Sequence, residues 1–259
     1  MAEEENINEA FSFDEINVHG TENQQVAIDL QTLNEARNYR RMLYSHIQDA
    51  LGERIIEIGS GIGNYTEMLL EHGHVWATDI EDQYVQFLSK RFAGRKDFKA
   101  SLLRLGALTA DDYREILNFS PDTFVCMNVL EHIQDDIFAM NEMVSCLTVG
   151  GHAAVIVPAL PWLYCSLDRK YGHFRRYTKD SVKELVSHIK NAQLVHCQYF
   201  NFIGVLGWWF NNVLLNREAL PQKQTYIYDK FLVPWIDKSE KLYAPPFGLS
   251  IVFWVRRMA

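Results

Sequence analysis

The chain has 259 residues, 48% hydrophobic and 22% charged, which is enough for one α/β domain with a substantial core. Its net charge is −8 and it has no basic stripe, so we expect no nucleic-acid partner. The longest apolar run, Phe202 to Phe210, is about half of the roughly 18 residues that a membrane span requires, and the amino terminus has no basic and apolar leader. These features predict a cytoplasmic protein without a transmembrane segment.

The cysteines indicate neither disulfide bonds nor a metal site. No C-x-x-C pair and no paired histidine spacing accompanies them, so we interpret them as apolar core residues and expect no metal. The four are Cys126, Cys146, Cys165 and Cys197.

The amino-terminal segment differs in composition from the rest of the chain. Residues 1–25 are largely acidic and Asn-rich, which predicts a disordered tail or a lid that orders on binding. Residues 26–259 are predicted to form a single domain. Apolar positions recur at roughly helical spacing from Val26 to Ala50, which predicts one or two helices before the first strand.

From residue 54 onward, short apolar runs alternate with segments of helical periodicity. The predicted strands cover residues 54–58, 74–79, 98–103, 123–128, 152–157, 194–200 and 249–255. The predicted helices run from the turn after the first strand to Glu71, and over 83–92, 136–147 and 178–190. This alternation predicts a doubly wound, mostly parallel seven-stranded sheet with helices on both faces and the last strand antiparallel. Ligands are expected outside the carboxyl ends of its strands.

A glycine-rich turn, Glu57-x-Gly59-x-Gly61-x-Gly63, follows the first strand. Such glycines let the backbone turn sharply and approach a ligand closely. Asp79 ends the second strand, where a carboxylate can accept both hydroxyls of a ribose. That carboxylate would repel a 2′-phosphate, which disfavours NADP and leaves NAD open. The glycines could also be turn residues of a nonbinding domain, and Glu57 could be a structural acceptor for loop amides.

A third segment, Asn128-Val129-Leu130-Glu131-His132, follows the fourth strand. With the turn and the acid, it resembles the signature of class I (Rossmann-like) S-adenosylmethionine-dependent methyltransferases, over roughly residues 55–157. The resemblance implies that the glycines line the methionine and ribose, Asp79 holds the ribose, and Ile80 packs on the adenine. It also implies that Asn128 and Val129 flank the sulfonium. Glu131 could simply be a solvated helix residue.

One departure from that family lies on the third strand. Such enzymes often place an aspartate there to accept from the adenine amino group, whereas this chain has Ser101-Leu102. The predicted cofactor-binding residues are Glu57, Gly59, Ser60, Gly61, Gly63, Asp79, Ile80, Leu102, Asn128 and Val129.

The segment after the fifth strand concentrates groups that bind anions, stack or move protons. It reads Asp168-x-x-x-Gly172-His173-Phe174-Arg175-Arg176-Tyr177. It resembles the G-H-x-R-R-Y loop of a bacterial subgroup of small-molecule methyltransferases. The predicted substrate-binding residues are Tyr164, Arg175, Arg176 and Tyr177. At least one arginine could instead form an internal salt bridge with Asp168, and we expect only one of the two to be functional.

Methyl transfer requires alignment of the nucleophile, with proton removal if the nucleophile is a hydroxyl or an acidic carbon. Histidine suits that proton transfer near neutral pH, so His132 and His173 are the candidate catalytic residues. Alternatively, His132 bridges two loops and His173 makes a loop-stabilising hydrogen bond.

Residues 201–247 form an aromatic-rich insertion that could belong to the core, wall a pocket or form a homo-oligomer contact. The predicted function is transfer of a methyl group from S-adenosylmethionine, leaving S-adenosylhomocysteine, to an O, N or C atom of a small-molecule acceptor. The acceptor could be a natural product, a sugar or a lipid-related compound. A nucleotide-dependent oxidoreductase or epimerase, or a noncatalytic binding subunit with the same fold, remains an alternative.

Overall fold

A computed structural model describes residues 32, 35–215 and 222–259 of the chain. The predicted tail or lid at residues 1–25 and the start of the predicted first helix lie outside the described residues. Within the described part, the helix α1 (Arg37–Ser45) precedes the first strand. A short 3-10 helix, Gln48–Ala50, follows it.

Seven strands form one sheet in the order β3-β2-β1-β4-β5-β7-β6. They are β1 (Arg54–Ile58), β2 (His74–Asp79), β3 (Phe98–Leu102), β4 (Thr123–Met127), β5 (His152–Pro158), β6 (Ala192–Phe200) and β7 (Ser250–Arg257). Strands β1 to β5 pair in parallel, and β7 is antiparallel to both β5 and β6. The predicted fold class is confirmed.

The strand order reverses between β1 and β4, which are hydrogen-bonded neighbours with Ile55 opposite Thr123. Chain crossovers leave the sheet in opposite directions on the two sides of this point. A crevice therefore opens at the carboxyl ends of β1 and β4, where ligands bind in folds of this kind. The glycine turn follows β1 and Asn128 follows β4, so two of the three motifs meet at this crevice.

The central strands are buried on both faces of the sheet. Side chains alternate along a strand, so Ile55 packs with Leu43 on one face while its neighbour Ile56 packs with Met140 on the other. A strand covered on both faces reads as a continuous apolar run, which explains why the central strands could be recognised from composition.

Helices cover both faces of the sheet. They are α2 (Thr66–Leu69), α3 (Asp82–Arg91), α4 (Ala110–Phe119), α5 (Asp136–Cys146), α6 (Ser166–Lys170), α7 (Lys179–Ser187), α8 (Phe202–Trp208), α9 (Gln222–Ile227) and α10 (Val233–Leu242). Two π-helical segments, Trp209–Leu214 and Tyr228–Leu232, continue α8 and precede α10. Two short 3-10 helices occupy Leu130–His132 and Pro161–Leu163.

Three helices differ from the predictions. Helix α4 was not predicted, although Thr109 and Asp112 form a capping box that marks its start. The helix after the glycine turn is only the four residues of α2 and ends before Glu71. The segment predicted as loop from Leu160 to Tyr177 contains α6, because the Asp168 carboxylate accepts the amide N–H of Cys165 and caps it.

The aromatic insertion forms helices whose aromatic side chains are mostly exposed. Val233 and Ile236 anchor α10 to the core, whereas Phe210, Phe231 and Trp235 are each more than half exposed. The core interpretation therefore does not hold for these three aromatics. Among the described residues, no helix is both long and apolar enough to cross a lipid bilayer.

Candidate active site

The glycine turn brings the ends of β1 and β4 into close contact. Gly59 has φ +70°, a conformation that other L-residues rarely adopt. A Cβ atom added there would collide with the Val129 side chain beyond β4. Glycine at this position therefore both permits the turn and lets the two motifs pack against each other.

Asp79, at the end of β2, supports the turn from below. Its Oδ2 accepts the Gly61 amide N–H at 2.8 Å, and its Oδ1 accepts the Glu81 amide N–H at 3.0 Å. Burial raises the pKa of Asp79, while these amide hydrogen bonds act to lower it. The residue is 7% exposed and therefore buried beside the turn.

Two exposed apolar side chains flank this acid. Ile80 follows Asp79 directly, and Leu102 lies opposite Asp79 in the pairing of β2 with β3. They are 55% and 50% exposed, which is unusual beside a sheet whose other apolar residues are mostly buried. Ser101, next to Leu102, accepts the indole N–H of Trp76 at 2.8 Å. The edge thus presents a carboxylate between two apolar surfaces.

Glu57 and Ser60 hold the turn from within. The Glu57 Oε2 accepts the Thr66 hydroxyl at 2.6 Å, and burial raises the pKa of Glu57 to about 7 against the lowering effect of this bond. Ser60 donates its amide N–H to the Thr78 carbonyl at 2.9 Å, and its Oγ accepts the Thr78 amide N–H at 3.1 Å. Because Glu57 accepts a hydroxyl from helix α2, this contact favours the alternative that Glu57 is a structural acceptor.

Of the ten predicted cofactor-binding residues, Asn128 alone lines the cavity described below. It has φ +55°, its side chain is exposed, and its amide N–H donates to the Ile156 carbonyl at 2.8 Å. The 3-10 helix that follows directs Glu131 and His132 toward the loop carrying His173. The Phe174 amide N–H donates to the Glu131 carbonyl at 2.8 Å and ties that loop in place.

Asp168 organises the loop that was predicted to bind substrate. It accepts the Cys165 amide N–H at 2.9 Å, the Arg176 Nε–H at 2.8 Å and the Arg176 Nη2–H at 3.1 Å. Its Oδ1 also lies 2.9 Å from His173 Nδ1. Burial favours the neutral acid, but the bonds from His173 and Arg176 hold the pKa of Asp168 at about 2. Asp168 is therefore ionised, and His173 Nδ1 is the donor.

The predicted substrate-binding residues all make contacts within the protein. Arg176 forms the internal salt bridge with Asp168, one of the two alternatives for the arginines, while also lining the cavity. The Arg175 guanidinium contacts Asp136 Oδ2 at 2.6 Å. Tyr177 donates its hydroxyl to Asp136 at 2.8 Å, and Tyr164 donates its hydroxyl to the His173 carbonyl at 2.7 Å.

His132 and His173 lie together, with ring centroids 4.6 Å apart and planes at 85°. Burial, assisted by His173, lowers the pKa of His132 to about 4, and a hydrogen bond to the Tyr171 backbone acts against this shift. The structure thus contains the loop-stabilising bond of His173 to Asp168. It also leaves one nitrogen of each ring available, because each of the two bonds uses only one.

Glu131 is the site residue that the sequence interpretation missed. It is 0% exposed, so its interpretation as a solvated helix residue is wrong. Neither carboxylate oxygen has a hydrogen-bond partner among the described residues, and His173 Nε2 lies 3.9 Å from its Oε1. Burial raises the pKa of Glu131 to about 8. The sequence signal for this burial was the largely apolar stretch around Glu131, between Leu130 and Ile133.

A cavity of about 600 Å³ extends from Asn128 to the aromatic insertion. Glu131, His132 and His173 line one side, together with Arg176. The other side is formed by residues of the insertion and α1. These include Tyr39, Asn201, Gly204, Trp208, Asn212, Tyr228 and Leu232. The insertion thus closes a pocket over the carboxyl ends of β4 and β5.

Comparison with known families and structures agrees with this geometry. Residues 56–153 match a family model described as a methyltransferase domain. The match runs from β1 to the start of β5 and includes the glycine turn, Asp79 and the segment after β4. No curated protein sequence matches the chain.

Several solved structures share the fold at low sequence identity. An S-adenosylmethionine-dependent methyltransferase from Mesorhizobium loti is 17% identical, with 83% of this chain and 95% of that chain covered and a TM-score of 0.51. The N-methyltransferase NodS from Bradyrhizobium japonicum, in complex with S-adenosylhomocysteine, is 15% identical, with 86% and 85% covered and a TM-score of 0.50. The [4+2]-cyclase SpnF is 11% identical, with 85% and 80% covered and a TM-score of 0.52.

The solved structures support the fold, and the family match supports the enzyme class. The matched region contains the glycine turn, the acid after β2 and the switch point between β1 and β4. Residues 56–153 thus match a methyltransferase domain, and the chain shares the fold of the methyltransferase structures to which it is similar.

Proposed function

We propose that the chain transfers a methyl group from S-adenosylmethionine to a small-molecule acceptor bound in the 600 Å³ cavity beyond Asn128. The observation that carries this proposal is the contiguity of two features. The glycine turn follows β1 at the switch point, and Asn128, which follows the neighbouring β4, lines the cavity.

The residues around the glycine turn fit an adenosyl group. Asp79 presents a buried carboxylate to a ribose diol, and the exposed Ile80 and Leu102 beside it can cover the two faces of an adenine ring. The close contact of Gly59 with Val129 leaves backbone, without a side chain, facing the methionine portion. Gly61, Gly63, Ser60 and Glu57 support that backbone, and Asn128 lies where the sulfonium would face the cavity.

The cavity fits a small molecule. Its volume lies within the roughly 300–1,000 Å³ that ligand pockets usually have. Aromatic side chains such as Tyr39, Trp208 and Tyr228 line it, with Glu131 and His173 on one side and polar side chains such as Asn212 on the other. This lining favours an acceptor with an apolar body, whose reacting end is directed toward Asn128 and whose far end can form hydrogen bonds.

The histidines contribute orientation and proton acceptance at that end. Asp168 fixes the His173 ring through Nδ1, so the Nε2 lone pair faces the cavity. His132 is fixed similarly by the Tyr171 backbone. Alignment of a nucleophile for in-line displacement, with a nearby group that accepts its proton, is the help that methyl transfer requires from a protein.

Titration calorimetry with S-adenosylmethionine, S-adenosylhomocysteine and NAD tests the cofactor assignment. We expect both adenosyl sulfur compounds to bind and NAD not to bind. Asp79→Ala should weaken S-adenosylmethionine at least tenfold, because the ribose loses a charged acceptor worth about 1.5 to 3 kcal/mol. Asp82→Ala, an exposed acid three residues further on, is the matched control and should leave affinity unchanged. Equal affinity for wild type and Asp79→Ala would refute the ribose assignment.

Turnover separates an enzyme from a binding subunit. Release of S-adenosylhomocysteine, measured over a panel of aromatic, sugar and lipid-like acceptors, should depend on the acceptor. His173→Ala should lower turnover more than it lowers S-adenosylmethionine affinity. Cofactor binding with no product from any acceptor would favour the noncatalytic alternative, and preferential binding of NAD would favour the oxidoreductase.

A further inference from the structure

We infer that Glu131, His132 and His173 bind a divalent transition-metal ion in the wall of the cavity. Among the described residues, these three offer one carboxylate oxygen and two imidazole nitrogens that all lie within 4.8 Å of one another. The inference deepens the proposed function, because an ion held by the free histidine nitrogens would take over their part in removing the acceptor's proton, but metal binding can be measured independently of methyl transfer.

The first argument is the state of Glu131. A fully buried carboxyl group without a hydrogen-bond partner is costly, and buried charges in proteins are normally paired or bind metals. Arg176, whose charge acts on Glu131, is already engaged by Asp168 through two of its nitrogens. Glu131 therefore lacks a partner within the described protein, and it faces the cavity.

The second argument is the orientation of the histidines. Asp168 accepts the Nδ1–H of His173, which leaves the Nε2 lone pair directed toward Glu131 Oε1 at 3.9 Å. This distance is too long for a hydrogen bond. A cation bound between these two atoms would give both of them a partner. The spacing suits an ion bound to both, since ligand atoms about 2.0 to 2.2 Å from a metal are at most about 4.3 Å apart.

The third argument is the support behind each ligand. Metal-binding histidines nearly always donate their other ring N–H to a carboxylate or a backbone carbonyl. His173 does so to Asp168, and His132 does so to the backbone of Tyr171. Asp168 is itself held by Arg176 and by the Cys165 amide. The two rings are thus pre-oriented with one free nitrogen each.

The ligand set indicates the kind of ion. Imidazole suits zinc, iron, cobalt and nickel, whereas magnesium and calcium prefer oxygen ligands. Two histidines and one glutamate leave at least one coordination position free, as in catalytic zinc sites and non-haem iron sites. That position faces the cavity, so an oxygen of the acceptor could occupy it and become more acidic.

Cobalt(II) is the probe, because its visible absorption reports nitrogen and oxygen ligation. Protein stripped with a chelator should bind one Co²⁺ per chain, and Zn²⁺ but not Mg²⁺ should displace it. Glu131→Gln keeps the shape and removes the anionic ligand, so it should weaken Co²⁺ at least tenfold. His132→Asn should do the same. His188→Asn, an exposed histidine at the end of α7, is the matched control and should bind Co²⁺ as the wild type does.

Circular dichroism and S-adenosylmethionine binding are measured on the same samples. Folded wild-type protein that binds S-adenosylmethionine but neither Co²⁺ nor Zn²⁺ would overturn the metal site and leave the proposed function intact. Co²⁺ binding without S-adenosylmethionine binding would support the metal site and overturn the proposed function. If Glu131→Gln does not fold, the His132→Asn titration decides. Unchanged Co²⁺ affinity in a folded Glu131→Gln or His132→Asn variant would also overturn the site.

Discussion

The buried acids at the two ends of the crevice differ in whether they have hydrogen-bond donors. At the cofactor end, Asp79 accepts two amide N–H groups and Glu57 accepts a hydroxyl. At the acceptor end, Asp168 is surrounded by donors, but Glu131 has none among the described residues. The donors around Asp79 and Glu57 hold these acids in place beside the glycine turn, whereas an acid that faces a cavity without a donor still lacks a partner. Under the proposed function, this difference corresponds to a preformed cofactor cradle and an acceptor site that lacks one component.

The acceptor end also separates into a supporting layer and a facing layer. Asp168 and Arg176 are essentially buried and hold His173 in place. Glu131 and the free nitrogens of the histidines face the cavity. The following predictions test whether this division, and the contrast with the cofactor end, are correct.

The largest effect is expected from Arg176→Met. Removing the guanidinium leaves the Asp168 charge buried without its main partner, which typically costs about 3–5 kcal/mol of unfolding free energy. Arg175→Met is the matched control, because its pair with Asp136 is partly exposed and should contribute less than about 1 kcal/mol. Urea unfolding measures both. Equal losses of unfolding free energy would show that the buried pair of Arg176 and Asp168 stabilises the fold no more than the partly exposed pair of Arg175 and Asp136.

Glu57→Gln should alter the pH dependence of stability. The folded protein holds the pKa of Glu57 at about 7, above its ordinary 4.5, so the folded state retains a proton that the unfolded chain releases. The wild type should therefore lose stability as pH rises from about 4.5 to about 7, by about 3 kcal/mol from this group. The glutamine variant lacks this loss. The difference in unfolding free energy between variant and wild type should grow over that range and stay level above it.

A difference that does not change with pH would contradict this assignment for Glu57. Comparing variant with wild type at each pH removes the contributions of Asp79, Glu131 and other groups that both proteins share.

The smallest of these effects is the excess cost of Gly59→Ala over the same substitution at a control glycine. Alanine at positive φ costs about 1–2 kcal/mol, and the collision with Val129 should add about 1–3 kcal/mol. Gly94→Ala is the matched control, since Gly94 also has positive φ but nothing within 4 Å of the added methyl group. Unfolding measurements should show the excess for Gly59, together with weaker S-adenosylmethionine binding. Equal costs at both positions would show that the Val129 side chain moves aside without a measurable loss of stability.

Much of the fold could be predicted from the chain because its signals are local. Strands β1 and β4 read as apolar runs, and the turn at Gly59 interrupts the first. Helix α4 was missed although its capping box was present, because its apolar positions are few and only Ile116 is fully buried. The loop helix α6 was missed because its cap, Asp168, was interpreted only as a possible partner for arginine.

By itself, the amino-acid sequence determined the strand, turn and helix order, the glycine hinge and the acid at the end of β2, since these depend on residues close together in the chain. Only the tertiary structure decided what Glu131 and Arg176 do. The burial of Glu131 beside His173 brings together residues 42 positions apart in the chain. Arg176 is only eight residues from Asp168, but the same arginine could bind a ligand or this neighbouring acid until packing selects one. The cavity likewise exists only because the insertion folds back over the sheet.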